Sequence, residues 1–254
     1  MKRLSLRLKL TLVGMIAVLL PLLAIGGVSI FMSGKALGDA AQSQSREVAR
    51  GLAYMIDSTL QEELKIVSQT AQREAVIDAA AAYAGGAKEG AFASKATAEL
   101  TAMVQRSGTD YEVVYIVGLD GKVIADGQGG KYVNKGIDLS QRDYFQEAKN
   151  GKVNVGSVVT SKATGNVVLT FAAPVYSRSN QIIGVVGATM GIGFLTGKAS
   201  ETKLGKTGYG FVIEKTGLCI AHPNKDMILK VNTAQTEGMK SFSARFSDLA
   251  VAWS

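Results

Sequence analysis

The pattern of hydrophobic and polar positions along the chain shows first an uncharged apolar run of 23 residues, from 10 to 32. At ~1.5 Å per residue, a helix of this length is roughly 34 Å long, enough to cross a hydrocarbon core of about 30 Å. Four cations, at positions 2, 3, 7 and 9, precede the run and favour a cytoplasmic N-terminus at residues 1–9. The sequence therefore predicts a transmembrane helix at 10–32. The alternative is a cleaved signal peptide, whose apolar region is ordinarily only ~7–15 residues long.

A second periodic pattern follows and predicts a long stalk helix over residues 33–70. Apolar residues recur there at steps of three and four, with charged residues on the opposite face. The stripe consists of Val48, Leu52, Ile56, Leu60, Leu64 and Val67. Such a stripe packs on its own domain or pairs with a second copy of the chain, and the pattern leaves both open.

Two further helices are predicted over residues 71–83 and about 90–106, after which the period becomes that of strands. Strands are predicted over 111–117, 122–125, 153–160, 167–175 and 182–189. The turn Asp120-Gly121 joins the first two as a hairpin. Ser140 is predicted to cap a short helix ending near Asn150-Gly151. The expected fold class is α+β, with an antiparallel sheet, a helix and a loop over one of its faces, and a pocket between them.

The strand signal starts again after a Gly-rich stretch at 191–207, which is interpreted as a flexible connector. Residues 209–213 and 218–222 alternate around the turn Lys215-Thr216-Gly217 and repeat the pattern of the first hairpin. The sequence therefore predicts two related sheet modules in series, the second of them a partial module at 208–254.

Charge and rare residues exclude several functions. The formal net charge is +7, of which the four cations before the apolar run account for more than half, so +3 remains and nucleic acid is not an expected partner. Cys219 and His222 are the only residues of their kinds, so neither a disulfide nor a common zinc site is expected. No cofactor is predicted.

Catalytic patterns are also missing from the sequence. It contains no Gly-x-Ser-x-Gly motif and no recognisable pair of catalytic carboxylates. Gly205-Lys206-Thr207 is similar to the end of a phosphate-binding loop, but it leads into a strand where that motif requires a helix. The expectation is that the chain is not an enzyme, with a membrane-tethered enzyme of the cell envelope as the alternative.

Four segments, taken together and in order, carry a family resemblance. They are the hairpin at 118–121, the stretch 137–145, the pair 173–176 and 183–187, and the run from 205 to 223. With them, the chain resembles the double Cache sensor region of bacterial transmembrane receptors, most often methyl-accepting chemotaxis receptors. The resemblance implies PAS-like sheet modules, a membrane-distal module at 71–190 that binds a small molecule, a homodimer, and a sensor outside the inner membrane.

The resemblance also implies site residues. Family members that bind amino acids hold the carboxylate with an Arg and an aromatic residue two places later, which Arg142 and Tyr144 match. The Tyr and two Asp that hold the amine fall at Val159, Ser161 and Thr189. Because no carboxylate stands there to pair with an ammonium, we expect that the ligand is not an α-amino acid.

A small organic acid such as a hydroxy or keto acid is the favoured ligand, since Arg142 can hold a carboxylate with two parallel hydrogen bonds. Lys162 would add positive potential, and Tyr115 would face the pocket or the opposite side of the sheet. The alternative for Arg142 is an ion pair with Asp138 or Asp143 that holds the loop.

The output of such a receptor cannot be read from these residues. Chemoreceptors, sensor histidine kinases and diguanylate cyclases all carry sensors of this kind. No second membrane helix follows before Ser254, so we expect residues 1–254 alone to bind a ligand without signalling across a membrane.

Overall fold

The computed structural model describes residues 6–87, 90–106, 111–206 and 208–237, and divides the chain into two compact units, residues 1–49 and 50–254. In the first unit the chain is helical from residue 6, within helix α1 (Leu6–Ala71). Its large apolar side chains between 10 and 32 are exposed. By length and composition this is the one described helix suited to cross a membrane, as predicted for 10–32.

The second unit contains the sheet. Its helices after α1 are α2 (Glu74–Ala84), α3 (Ala91–Arg106), α4 (Asp143–Lys149) and α5 (Gly193–Glu201). Its strands are β1 (Tyr111–Gly118), β2 (Val123–Asp126), β3 (Asn154–Val155), β4 (Val159–Thr160), β5 (Val167–Tyr176), β6 (Ile182–Gly191), β7 (Lys203–Leu204), β8 (Gly208–Tyr209), β9 (Val212–Ile213) and β10 (Cys219–Ala221).

The main sheet is antiparallel, with the order β2-β1-β6-β5-β3 and with β4 also paired to β5. Strands β1, β5 and β6 are buried along most of their length. Apolar side chains therefore project from both faces of the sheet, and those of each face pack into a separate cluster. The α+β class and the predicted antiparallel sheet are confirmed.

One face of the sheet packs against the N-terminal helices. Leu52, Ile56 and Leu60 of α1 belong to the same buried cluster as Ile116 and Phe171 of the sheet. The predicted stripe of α1 thus packs on its own domain over this part of its length. Pairing with a second copy remains a prediction.

The other face is covered by α4 and by the loop between β2 and α4. Phe145 is fully buried and shares a cluster with Tyr144, Leu139 and the sheet residues Val113 and Val185. The predicted helix and loop over one face are confirmed, and they enclose the candidate site.

Two local predictions in this region were wrong. Helix α4 begins at Asp143 with Arg142 at its N-cap, not with Ser140, whose N–H instead donates to the Asp138 carboxylate at 2.8 Å. The predicted strand 153–160 is split into β3 and β4. Between these two strands the chain departs from the pairing with β5, because the Ser157 N–H donates to the Asp143 carboxylate of α4 at 2.8 Å.

The stretch at 191–207, interpreted as a flexible connector, contains the nine-residue helix α5 instead. Beyond it, β9 and β10 pair antiparallel and confirm the second predicted hairpin. Gly217 in the connecting turn has a φ of +87°, a conformation that favours glycine. Residues 238–254 of the predicted partial module lie outside the described residues.

Candidate functional site

A cavity of about 40 Å³ lies between the sheet and its covering loop and helix. One water molecule needs roughly 10–15 Å³ by the same measure, so a few small groups fit. All six residues proposed from the sequence line this cavity: Tyr115, Arg142, Tyr144, Ser161, Lys162 and Thr189. Tyr115 therefore points to the pocket side of the sheet, which the alternation left open.

Two glycines make room for the two tyrosines. Tyr115 lies opposite Gly187 in the β1–β6 register, and a Cβ at Gly187 would lie 2.5 Å from its ring. Gly156 sits in the gap between β3 and β4, where a Cβ would lie 2.8 Å from Cδ1 of Tyr144. The two phenol oxygens then meet at a hydrogen-bonding distance of 3.0 Å.

The strand register builds the floor of the cavity. Thr189 of β6 lies between Val113 of β1 and Thr170 of β5, so these three residues form one row across the sheet. Thr170 and Thr189 are 2% and 5% exposed. Their hydroxyls lie near the phenol of Tyr115.

Arg142 reaches the cavity from the residue that precedes α4. Its guanidinium donates to the backbone oxygen of Thr160 at 3.0 Å. Among the described residues no carboxylate oxygen lies within 4.0 Å of it, so the structure shows no close ion pair with Asp138 or Asp143, although its charge helps to lower the pKa of the Asp143 carboxyl. The carboxylate of Asp143 instead accepts backbone N–H groups from Tyr144 and Ser157.

Lys162 and Ser161 lie at the β4 end of the cavity. The exposed Lys162 donates from Nζ to the backbone oxygen of Asp138 at 2.6 Å, which ties this end to the covering loop. The Ser161 hydroxyl accepts backbone N–H groups from Ala163 and Thr164, both at 3.2 Å. Its own proton can still be donated into the cavity.

The sequence did not single out several other lining residues. The polar ones are Thr170 and Tyr132, and the apolar ones include Val113, Val123, Ile137, Leu139 and Val168. Thr170 could have been found, because it is the single polar residue in the run 167–173. Tyr132 could not, since its place depends on the loop that follows β2.

The buried carboxylate of Asp126 holds that loop in place. It accepts three backbone N–H groups, from Gln128 at 2.9 Å, Gly130 at 3.0 Å and Tyr132 at 2.8 Å. Asp126 itself is 0% exposed. The loop thereby closes over the cavity with Tyr132 against it.

The charged side chains that line the cavity are all cationic among the described residues. Arg142 and Lys162 are cationic, and the described lining contains no Asp or Glu. Burial raises the pKa of Tyr144 and of Tyr115, so both phenols stay neutral at physiological pH. The cavity is thus positive at one end and lined by hydroxyls and apolar groups elsewhere, an arrangement suited to a small anion.

The raised pKa of the two tyrosines predicts a loss of stability at alkaline pH. Above the ordinary tyrosine pKa of 10.0, the unfolded chain releases these protons while the folded chain keeps them. Each tyrosine then lowers the free energy of unfolding by up to about 1.4 kcal/mol per pH unit. We expect the melting temperature to fall between pH 10 and 11, and to fall less steeply in Tyr144→Phe.

Tyr54→Phe is the matched control, because that side chain is 74% exposed. Its melting temperatures should follow the wild-type curve throughout. Equal slopes above pH 10 in Tyr144→Phe and the wild type would contradict the assignment.

A second cavity of about 200 Å³ adjoins the first. Val123, Tyr132 and Ile137 line both, so these side chains form the wall between them. Lys122 and Lys135 also line the second cavity. Among the described residues no group of three or more His, Cys, Asp or Glu is placed to hold a metal ion.

The comparisons with known proteins agree with this architecture. A family model described as Cache domain, dCache_1, matches residues 33–250. The methyl-accepting chemotaxis protein McpA of Pseudomonas putida is 32% identical over 96 residues, which make up 37% of this chain and 15% of McpA. The match thus spans only a small part of that relative's length.

Two solved structures share the fold. The ligand-binding domain of the Pseudomonas fluorescens chemoreceptor CtaA, in complex with L-isoleucine, has a TM-score of 0.60 at 19% identity and covers 77% of this chain and 74% of its own. The sensor domain of the V. cholerae histidine kinase DctB has a TM-score of 0.63 at 14% identity, covering 82% and 76%. At these identities the likeness shows the fold.

Proposed function

The chain belongs to the Cache-domain family, and from that premise we propose that it is the ligand-sensing region of a transmembrane chemoreceptor. Its cavity binds a small organic acid that carries no cationic amine. The ligand carboxylate lies against Arg142, next to Tyr144. Lys162 strengthens the positive potential at the same end.

The single observation that carries this proposal is the charge of the cavity lining. Two cations and no described acid line it. A carboxylate entering the cavity gains a charge-assisted pair with Arg142, whose guanidinium donates to a backbone oxygen and interacts with the Asp143 carboxylate only from beyond ion-pair distance. An ammonium group in the same place would lose its hydration without meeting a carboxylate.

This ligand class differs from that of the structural neighbour CtaA, which was solved with L-isoleucine. Val159, Ser161 and Thr189 occupy the places where the resemblance calls for a tyrosine and two acids. Neutral side chains at these positions favour an acid without an amine.

The proposed setting is the inner membrane, with residues 10–32 as the anchor and the sensor in the periplasm, working as a homodimer. Ligand binding shifts the population between two arrangements of the receptor, and that shift is the signal. The relative McpA favours chemotaxis as the output. A sensor histidine kinase is the second candidate, favoured by the likeness to DctB.

The test is a thermal-shift screen of the full chain in lipid nanodiscs against small carboxylates, amino acids, amines, sugars and purines. A ligand at ~100 times its dissociation constant stabilises the folded state by about 2.7 kcal/mol. For a domain of this size the melting temperature rises by roughly 5–10 °C. Stabilisation by small carboxylates is expected; stabilisation by amino acids or amines alone would overturn the proposal.

Gly187→Ala is expected to weaken binding of the best carboxylate about tenfold or more. The added Cβ would stand 2.5 Å from the Tyr115 ring and push it into the cavity. Overpacking of this kind also lowers the free energy of unfolding by about 1–3 kcal/mol. Isothermal titration calorimetry measures the first effect and thermal unfolding the second.

Gly191→Ala on the same strand is the matched control, since its Cβ would meet only ordinary contact, 3.5 Å from Glu112. It should bind like the wild type. Wild-type affinity in Gly187→Ala would show that Tyr115 does not shape the binding site.

A further inference from the structure

Thr170 and Thr189 are a pair of buried hydroxyls on the cavity floor. They lie directly opposite each other on β5 and β6. Both line the cavity, and both are almost fully buried. They interrupt strands that are otherwise apolar on both sides.

Buried hydroxyls ordinarily find a backbone partner, because an unpaired one costs stability. Two other buried threonines do so: Thr70 donates to the backbone oxygen of Ile66 at 2.8 Å, and Thr233 to that of Gly217 at 3.0 Å. For Thr170 and Thr189 the interaction in the described residues is with a side chain, the phenol of Tyr115.

One phenol oxygen cannot use the full hydrogen-bonding capacity of two threonines. The Tyr115 hydroxyl already shares a hydrogen bond of 3.0 Å with Tyr144. Each threonine hydroxyl offers one donor and two acceptor sites. Capacity to donate and to accept therefore remains at the cavity floor, within the same small space that Arg142 lines.

Resting on the proposed function, we infer that Thr170 and Thr189 determine specificity by binding an oxygen on the carbon next to the ligand carboxylate. The ligand class is then short 2-hydroxy and 2-keto acids. A volume of about 40 Å³ leaves room for few atoms between the group held by Arg142 and the group held by the threonines. Hydroxyls suit either oxygen, since they donate to a ketone and both donate to and accept from an alcohol. The apolar lining takes the remaining methyl or short alkyl group.

The test compares three acids of nearly equal size by isothermal titration calorimetry on the full chain in nanodiscs. Propionate lacks the second oxygen, L-lactate carries it as a hydroxyl, and pyruvate carries it as a ketone. We expect at least one of the latter two to bind about tenfold or more tighter than propionate, the difference that one net hydrogen bond makes.

The isosteric variants Thr170→Val and Thr189→Val remove the hydroxyls while keeping the side-chain shape. We expect the preference over propionate to shrink to about threefold or less, with propionate affinity itself little changed. Thr170→Ser keeps a hydroxyl and should keep the preference. Thr101→Val is the matched control, because its hydroxyl donates to the backbone of Thr97 in α3.

The outcomes separate this inference from the proposed function. Equal affinity of the wild type for all three acids, or a preference that persists when both threonines are valine, overturns the inference alone. Tighter binding of L-alanine than of all three acids, or no binding of any of them, overturns the proposed function as well. The comparison of the three acids on the wild-type chain tests the inference even where a variant fails to fold.

Discussion

Arg142→Gln should abolish most of the carboxylate binding, with a fall in affinity of about 30-fold or more. Truncating one partner of a hydrogen-bonded charge pair in a partly enclosed site costs about 2–5 kcal/mol of binding free energy. Arg142 is half-buried and no carboxylate oxygen of the described residues lies within 4.0 Å of it, so a ligand carboxylate would meet a guanidinium without a close ion pair. Titration calorimetry of propionate, L-lactate and pyruvate measures the loss.

Two further variants test whether the effect comes from the planar guanidinium group at position 142. Arg142→Lys keeps the charge but not the planar fork and should bind with intermediate affinity. Arg178→Gln is the matched control, because that side chain is 81% exposed and its nearest acid, Asp78, lies 3.6 Å away. Unchanged affinity in Arg142→Gln would contradict the assignment of the carboxylate end.

Asp126→Ala should destabilise the domain by about 3 kcal/mol or more and weaken ligand binding at the same time. Three backbone N–H groups of the covering loop lose their acceptor, and hydrogen bonds to a charged group contribute about 1.5–3 kcal/mol each. Thermal unfolding should then occur roughly 10 °C lower. One of those bonds positions Tyr132 at the cavity, so the variant would also displace a side chain of the lining.

Asp126→Asn keeps one acceptor oxygen, so its melting temperature should lie between those of Asp126→Ala and the wild type. Asp226→Ala is the control, because that side chain is 88% exposed. A melting temperature of Asp126→Ala within about 2 °C of the wild type would show that the carboxylate does not hold the loop.

Much of the fold was predictable because local signals agree with the tertiary structure. The apolar stripe of α1 has the helical period, and the Asp120-Gly121 turn has its positive φ of +81° at Gly121. The break between β3 and β4 was not predictable. It depends on a hydrogen bond from Ser157 to Asp143, which are 14 positions apart in sequence.

The candidate site was predictable only in part. Family resemblance brought in Arg142 and Tyr144, and all six proposed residues surround one cavity. The face of Tyr115 could not be read, because β1 is buried along almost its whole length and carries apolar residues on both faces. Tyr132 was missed because its position depends on the conformation of the loop after β2, in which its N–H donates to the buried Asp126 carboxylate.

The most direct test of the central claim is a crystal structure of the chain with the carboxylate that gives the largest thermal shift. The account predicts that the acid lies in the cavity between the sheet and α4, with two hydrogen bonds of about 2.7–2.9 Å from the Arg142 guanidinium to its carboxylate. A carboxylate bound elsewhere, with Arg142 still donating to the Thr160 backbone alone, would contradict it.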